Sequence, residues 1–147
     1  MTNAKWHYNL CNMAHAMLSK ERIFDDALMD QEVRRGLPVA LFFLLRDALA
    51  IQPELLSQVI SVPIRTLMRR KQSGVRLKSD ESERLLRLAR LHLRAKEVLC
   101  GREKARQWLF SPNRALGGKI PFELSTTEPG AREVERLLGR IEYGVFS

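Results

Sequence analysis

The last third of the chain, residues 102–147, contains the pattern that most restricts the fold. Pro112 and Pro121 fix the backbone φ angle at two points, and Gly117 and Gly118 between them admit positive φ. We therefore expect a shaped loop here rather than a flexible linker. After this loop, apolar residues recur at the i, i+3, i+4 and i+7 positions of a helix: Val134, Leu137, Leu138 and Ile141. This spacing predicts a closing amphipathic helix.

Three stretches of this segment match a known family pattern in order and spacing. They are ARQWL at 105–109, PNRALGGKIPFEL at 112–124 and GAREVERLLGRIEYGVF at 130–146. Together they resemble the toxin-binding domain of Xre/MbcA/ParS-type bacterial antitoxins. In that family the domain follows a helix-turn-helix region, and the cognate toxin is a RES-domain enzyme that depletes NAD. The resemblance therefore implies the antitoxin of a type II toxin–antitoxin pair.

Length and composition set broad limits. The 147 residues, 45% of them hydrophobic, suffice for one compact domain or two small subdomains. The longest apolar run, residues 38–45, is shorter than the stretch of about 18 residues that a bilayer span needs. The start lacks a signal-peptide pattern, and Cys11 and Cys100 do not form a disulfide framework. We expect a cytoplasmic protein with no membrane partner.

The net charge of +8 is concentrated in the middle of the chain. Residues 1–50 carry six basic and six acidic side chains, residues 51–100 carry eleven and five, and residues 101–147 carry eight and six. A surplus confined to one segment favours a polyanionic partner such as nucleic acid.

Helix signals organise the first half of the chain. Apolar residues at positions 6, 10, 13 and 17 predict a first helix over residues 3–19. Asp25 or Asp26 can cap a second helix that ends near Arg35. Pro38 opens a third helix that is apolar on most sides, as expected at the centre of an all-α core.

Residues 53–71 resemble a helix-turn-helix motif. Its first helix would turn four apolar residues inward: Leu55, Leu56, Val59 and Ile60. Ser57 is small enough for a second helix to cross closely, and Leu67 of that second helix should face inward. Two positions depart from the common pattern, because Ser61 replaces glycine in the turn and Pro63 replaces a Ser or Thr cap.

Six basic residues with no acidic residue among them fall within the 14 positions from 65 to 78. Those on the outward side of the second helix would face the major groove, where Arg reads guanine and neighbouring cations neutralise phosphates. That outward side should comprise Arg65, Thr66, Arg69 and Arg70. The predicted DNA-binding residues are Arg65, Thr66, Arg69, Arg70, Lys71 and Arg76. The alternative is a solvated basic face without a partner.

A long leucine-rich helix follows, with Ser79 or Asp80 as its cap and an end near Leu99. It has more apolar surface than one stripe needs. This excess favours either a self-association surface, giving a homodimer, or complete burial within the chain. Residues 6–17 are the second candidate surface for self-association.

We place the domain boundary at Cys100 and Gly101, which end this helix. The predicted organisation is a helical region over residues 1–99, with the helix-turn-helix at about 53–71, and a C-terminal toxin-binding domain over residues 100–147.

No pattern in the sequence indicates catalysis. The run ending at Lys119 is not a phosphate-binding loop, because Asn113 stands where a glycine is required and Ile120 where Ser or Thr is required. One helix face could offer metal ligands at His7, Cys11 and His15, but a fourth ligand is not evident. We expect a protein that is not an enzyme and has no metal and no cofactor.

The toxin-binding residues are predicted in the shaped loop and at the end of the closing helix. A glycine should end that helix and leave residues 145–147 to project. Because NAD carries a pyrophosphate, a terminal carboxylate and an aromatic tip could occupy its site. The alternative is that Tyr143 and Phe146 pack back onto Trp108 and Leu137. The predicted residues are Asn113, Leu116, Gly117, Gly118, Arg140, Tyr143, Gly144, Phe146 and Ser147.

These observations favour an all-α antitoxin with an N-terminal helix-turn-helix region and a C-terminal toxin-binding domain. By resemblance, it would inhibit a RES-domain toxin and repress the shared operon by binding operator DNA. Two alternatives stay open. One is a helix-turn-helix regulator without a toxin, whose last third serves dimerisation or effector sensing, and the other is an interaction or polar-localisation protein.

Overall fold

The computed structural model describes residues 14–144, and helices dominate this part of the chain. Within it the only strand-like pairing is one isolated bridge between Asn113 and Lys119, so the all-α prediction is confirmed. No helix within these residues is both long and apolar enough to span a membrane. Most of the predicted first helix lies outside the described residues, although residues 14–17 are helical.

The helices follow one another with short connections. In chain order they are α1 (Lys20–Ile23), α2 (Asp26–Arg35), α3 (Val39–Leu49), α4 (Pro53–Ile60), α5 (Ile64–Ser73), α6 (Ser79–Val98), α7 (Arg102–Leu109), the 3₁₀ helix η1 (Arg114–Leu116), α8 (Pro121–Leu124) and α9 (Glu128–Glu142).

Two compact units divide the chain after Leu86. We call residues 14–86 the helix-turn-helix unit and residues 87–144 the terminal unit. The division falls inside the continuous helix α6, whereas the sequence placed a boundary at the end of that helix.

The ends of α2 follow the predicted signals. The Asp25 side chain accepts a hydrogen bond from the backbone N–H of Leu28 at 3.0 Å, which caps the helix. The helix ends at Arg35 as expected, and Gly36 follows with a φ of 93°. A β-carbon at Gly36 would lie 2.2 Å from the carbonyl oxygen of Leu77, so only glycine fits at this close backbone approach.

Apolar residues of α3, α4 and α5 form the core of the helix-turn-helix unit. Helix α3 is the central apolar helix that the sequence predicted, and its Phe42 and Leu45 are fully buried. Leu67 of α5 is fully buried as expected. One inward residue of α4 was predicted wrongly, because Leu55 is 39% exposed while Leu56 beside it is fully buried.

Helix α6 begins at Ser79, so neither Ser79 nor Asp80 occupies the position before the helix. Instead, the Glu81 carboxylate in the first turn accepts the backbone N–H of Lys78, the residue just before the helix, at 2.8 Å. This hydrogen bond caps the helix. Along the helix four leucines are buried in the monomer: Leu85, Leu86, Leu88 and Leu91. They therefore do not form an exposed leucine surface for self-association.

The terminal unit is built around α9. The Thr127 hydroxyl accepts the backbone N–H of Gly130 at the start of this helix. A β-carbon at Gly130 would lie only 1.8 Å from the carbonyl oxygen of Leu124, so α8 and α9 meet at this glycine. The predicted apolar stripe is confirmed, since Val134, Leu137 and Leu138 are buried and Ile141 is half-buried.

Candidate DNA-binding and partner-binding surfaces

The turn between α4 and α5 is closed by a buried side chain. The Ser57 hydroxyl donates to the carbonyl oxygen of Val62 at 2.7 Å, and the Val62 N–H donates to the Ser57 carbonyl at 3.1 Å. Ser61 adopts the left-handed conformation, with a φ of 59°, in the position where glycine is common. The departure seen in the sequence therefore leaves the turn intact.

Pro63 lies just before α5 rather than inside it. Its carbonyl oxygen accepts the N–H of Leu67 at 3.1 Å, which is the first hydrogen bond of the helix. Proline makes no side-chain hydrogen bond to cap the helix, but its fixed φ suits the entry into a helix. Helix α5 extends to Ser73, two residues beyond the predicted end at residue 71.

The outer face of α5 presents two arginines to solvent. Arg65 and Arg69 are exposed and stand one helical turn apart, and Thr66 beside them is half-buried. Lys71 is also exposed, but its ammonium nitrogen lies 4.4 Å from the centre of the Phe43 ring. This cation–π contact holds Lys71 against α3 while leaving its charge near the surface.

Arg70 does not share this outer face, and that part of the sequence interpretation was wrong. Its guanidinium Nη1 lies 2.6 Å from the Glu81 carboxylate, and the two side chains are only 14% and 9% exposed. The physical reason is its position three residues after buried Leu67, which places both on the inward side of α5.

Arg76 is likewise turned into the unit. Its guanidinium donates to the carbonyl oxygen of Gly36 at 3.0 Å, and the side chain is half-buried. The six predicted DNA-binding residues therefore fall into two groups. Arg65, Thr66, Arg69 and Lys71 lie on or beside the outer face of α5, whereas Arg70 and Arg76 form internal hydrogen bonds.

Sequence reasoning missed two exposed apolar residues beside this face. Met68 is 46% exposed and Val75 is 52% exposed. They line a depression of about 440 Å³, whose other lining residues are Pro38, Val39, Ala40, Arg70, Lys71, Gln72, Gly74 and Arg76. The signal for Met68 was available, because it follows Arg65 by three residues and so shares the side of α5 that faces solvent.

The predicted loop of the terminal unit is held by Asn113. Its side-chain Oδ1 accepts the backbone N–H of Ala115 at 2.9 Å, and its backbone N–H donates to the Lys119 carbonyl at 3.0 Å. Gly117 and Gly118 have φ angles of 67° and 81°, as the sequence predicted. The loop is therefore a defined structure.

Leu116 differs from its loop neighbours. It is 3% exposed and belongs to the core, whereas Gly117 and Gly118 are exposed. Leu116 therefore supports the loop from below and does not form part of the accessible surface.

At the end of α9, Tyr143 is 78% exposed. The alternative in which Tyr143 packs back onto the core is therefore wrong. Arg140 is half-buried, and its Nε atom is buried without a hydrogen-bond partner within the described residues. Gly144 follows with a φ of 66°, consistent with the predicted helix stop. Phe146 and Ser147 lie outside the described residues.

Three further residues on α9 extend this surface, and sequence reasoning missed them: Glu133, Arg136 and Gly139. A shallow depression is lined by Glu133, Arg136, Gly139, Arg140 and Tyr143. Among residues 14–144, no atom other than the nearby backbone of α9 itself lies within 4 Å of the place where a β-carbon at Gly139 would stand, so this side of the helix is open. The available signal was the spacing of positions 136, 139, 140 and 143, which gives one helical face.

The terminal unit also contains a buried histidine. His92 of α6 is 4% exposed, and burial lowers its pKa to about 4, with further lowering by the nearby charges of Lys96 and Arg102. His92 is therefore neutral at physiological pH. Within residues 14–144 no cluster of His, Cys, Asp and Glu could hold a metal ion.

Comparison with known proteins adds two family matches. Residues 29–90 match the Antitoxin Xre-like helix-turn-helix domain, and residues 94–144 match the Antitoxin Xre/MbcA/ParS C-terminal toxin-binding domain. These two regions include α5 with its exposed arginines and α9 with its exposed tyrosine.

Three curated relatives are each named Antitoxin Xre. The protein from Photorhabdus laumondii is 32% identical over 116 residues, which cover 78% of each chain. The Yersinia enterocolitica protein is 41% identical over 87 residues, covering 58% of this chain and 59% of the relative. The Pseudomonas putida protein is 36% identical over 83 residues, covering 56% and 52%. The matches to the last two thus span somewhat more than half of each relative. With its helix-turn-helix domain and its C-terminal toxin-binding domain, the chain belongs to the Xre antitoxin family of toxin–antitoxin systems.

Proposed function

We propose that this protein neutralises a RES-domain, NAD-depleting toxin and represses its own operon by binding operator DNA in the cytoplasm. The observation that carries the proposal is that each of the two family domains contains its own exposed surface. The outer face of α5 is basic and lies in the helix-turn-helix domain. The exposed end of α9 lies in the toxin-binding domain.

For DNA binding, α5 is the recognition helix. Arg65 and Arg69 stand one turn apart, which suits base edges and phosphates along the major groove. Lys71 adds positive charge near the helix end. Thr66 lies between the two arginines and can contact a base or a sugar.

The salt dependence of operator binding tests this assignment. Each phosphate contact contributes about 0.9 to the slope of log affinity against log salt, so Arg65→Gln with Arg69→Gln should flatten the slope and weaken binding. Arg132→Gln is the matched control, because Arg132 is exposed on α9, outside the helix-turn-helix unit. Unchanged affinity and slope in the double variant would refute α5 as the recognition helix.

For toxin binding, the proposed surface runs along the exposed side of α9 to its end. Tyr143 supplies a large planar side chain, and Arg140 supplies a guanidinium whose Nε has no partner within residues 14–144. Tyrosine and arginine are, with tryptophan, enriched among the residues that dominate binding energy at interfaces. Asn113, Gly117 and Gly118 shape a second contact, which Leu116 supports from the core.

The terminal residues complete the proposed mechanism of inhibition. The NAD site of a toxin must accommodate a pyrophosphate and planar rings. The ring of Phe146 matches the second of these requirements, and Gly144 lies between this residue and the helix in the sequence. Inhibition then results from occupation of the substrate site.

Truncation before Tyr143 tests this mechanism. The variant should fold, because Tyr143 is largely exposed, and it should bind DNA while losing inhibition of NAD consumption by the RES-domain toxin. Gly139→Arg is a second variant, expected to obstruct the open side of α9 without shortening the chain. Full inhibition by the truncated protein would disprove blockade by the terminal residues, whereas loss of its helical circular dichroism would indicate a structural role for them.

We also propose that the protein binds its operator as a homodimer. One short recognition helix reads few base pairs, and a two-fold protein matches a palindromic operator. Four leucines of α6 are buried in the monomer, and so is Met17 of the second candidate surface, so neither stripe is assigned as the dimer interface. Light scattering at tens of micromolar should give twice the chain mass, and a monomer mass would exclude this arrangement.

A further inference from the structure

The most basic part of the chain contains a buried ion pair that the proposed contacts with DNA do not use. Arg70 of α5 and Glu81 of α6 are separated by 2.6 Å, and both side chains are almost fully removed from solvent. Burying two charges costs desolvation free energy, which can exceed the gain from their mutual attraction. A pair of apolar residues would stabilise the fold at least as well, so stability alone does not explain this ion pair. Buried pairs of this kind can instead specify one arrangement of the elements that they join.

Glu81 connects three segments of the helix-turn-helix unit. Its Oε2 atom accepts from the Arg70 guanidinium and, at 2.8 Å, from the backbone N–H of Lys78. It therefore ties α5, the loop after α5 and the first turn of α6 to one carboxylate. The adjacent Ser82 is fully buried, and its hydroxyl accepts the backbone N–H of Leu37 at 2.9 Å.

These contacts act on the helix that carries the proposed DNA-reading side chains. Arg69 precedes Arg70 directly, and Arg65 lies five residues before it. If α5 rotates or slides against α6, both exposed arginines move with it. Base readout is sensitive to such movement, since a bidentate arginine contact requires a fixed distance and angle to the guanine edge.

We propose that Arg70 is a positioning residue for DNA recognition. It sets the orientation of α5 through Glu81, whereas its neighbour Arg69 contacts DNA. This inference rests on the proposed binding of operator DNA by α5. Two adjacent arginines that the sequence does not distinguish thus have different roles: Arg69 contacts DNA, and Arg70 positions the helix that carries it.

The experiment compares variants of Arg69 and Arg70 in the full chain with operator DNA. Arg69→Gln should weaken binding and reduce the salt slope by about 0.9, as expected for a lost phosphate contact. Arg70→Gln should weaken binding roughly tenfold, the scale of a misplaced base contact, with the salt slope unchanged. Thermal unfolding of each variant establishes that the protein is folded at the assay temperature.

Two further variants keep the test informative if Arg70→Gln fails to fold. Arg70→Lys retains a cation for Glu81 but lacks the planar guanidinium fork, so a positioning role predicts binding within about twofold of the parent. Arg70→Met combined with Glu81→Gln removes the ion pair without leaving a buried unpaired charge. We expect it to fold and to bind roughly tenfold more weakly, with the parental salt slope.

The outcomes separate this inference from the proposed function. A reduced salt slope in the Arg70→Met, Glu81→Gln protein would show that Arg70 contacts a phosphate, and parental affinity in that protein would show that the pair is dispensable. Either result overturns the positioning role while leaving DNA binding by α5 in place. If the Arg65 and Arg69 variants bind like the parent, DNA recognition by α5 itself is wrong.

Discussion

Two tight turns of this protein, one in each unit, contain a residue in the left-handed conformation, but the residue is serine in one turn and glycine in the other. The turn after α4 places Ser61 in the left-handed region with a φ of 59°, and the loop after η1 places Gly117 there with a φ of 67°. Glycine adopts this conformation without strain, whereas serine does so only where its surroundings impose it.

The neighbours of each turn account for the difference. Around Ser61 the buried hydroxyl of Ser57 bonds to Val62, so tertiary packing determines the turn. Around Gly117 the side chain of Asn113 bonds to a backbone N–H only two residues away. Thus the loop of the terminal unit is specified locally, and the helix-turn-helix turn is specified by its core.

The largest effects should come from the glycines at which two backbones meet, one in each unit. Gly36→Ala and Gly130→Ala would each force a β-carbon against a backbone oxygen, at 2.2 Å and 1.8 Å respectively. Each should lower the free energy of unfolding by about 3 kcal/mol or more, because backbone atoms cannot yield as a flexible side chain does. Chemical denaturation measures both losses.

Gly139→Ala is the matched control for Gly130→Ala on the same helix. It has open space at the β-carbon position and should stabilise α9 by up to about 1 kcal/mol. Equal behaviour of the two α9 variants would show that close packing at Gly130 is unimportant.

The next largest effect is a loss of stability at acid pH, and it arises from His92 in the terminal unit. Because burial lowers the pKa of His92 from 6.5 to about 4, folding favours its neutral form. The contribution to stability is complete above pH 6.5 and is lost as the pH falls towards 4, to a total on the order of 3 kcal/mol. Unfolding free energy measured from pH 7.5 to 4 in His92→Leu should lack this component. The exposed His15 provides the control, since His15→Gln should retain it.

Smaller losses should distinguish the side chains that close the two turns. Ser57→Ala leaves a carbonyl oxygen unsatisfied in the core and should cost about 2 kcal/mol. Asn113→Ala removes a more exposed cap and should cost about 1 kcal/mol. Urea denaturation gives both values, and a larger loss at Asn113 than at Ser57 would reverse the comparison.

The smallest effects are expected at the left-handed residues themselves. Ser61→Gly should stabilise the protein by roughly 1 kcal/mol by relieving the strain, and Gly117→Ala should destabilise it by a similar amount by introducing strain. Thermal unfolding of the two variants should therefore give shifts of opposite sign. Shifts of the same sign would mean that the two residues do not share this conformational preference.

Local chemistry determined much of this fold from the sequence alone. The cap at Asp25, the left-handed glycines at 117 and 118, and the apolar stripe of α9 all depend on residues within about one or two helical turns of each other. The order of the two family domains was also readable, because their motifs are contiguous stretches of sequence.

Only the tertiary structure decided which charged and apolar side chains remain accessible. Arg69 and Arg70 are adjacent and chemically identical, yet only Arg70 meets a buried carboxylate, which comes from a helix eleven residues away. Two leucines also differ in accessibility although their side chains are chemically identical, since Leu55 is exposed and Leu116 is buried. Periodicity identifies the side of a helix on which a residue lies, but the partner that covers that side is contributed by another segment of the chain. The accessible basic surface is therefore a property of packing, whereas the surplus of positive charge is a property of the sequence.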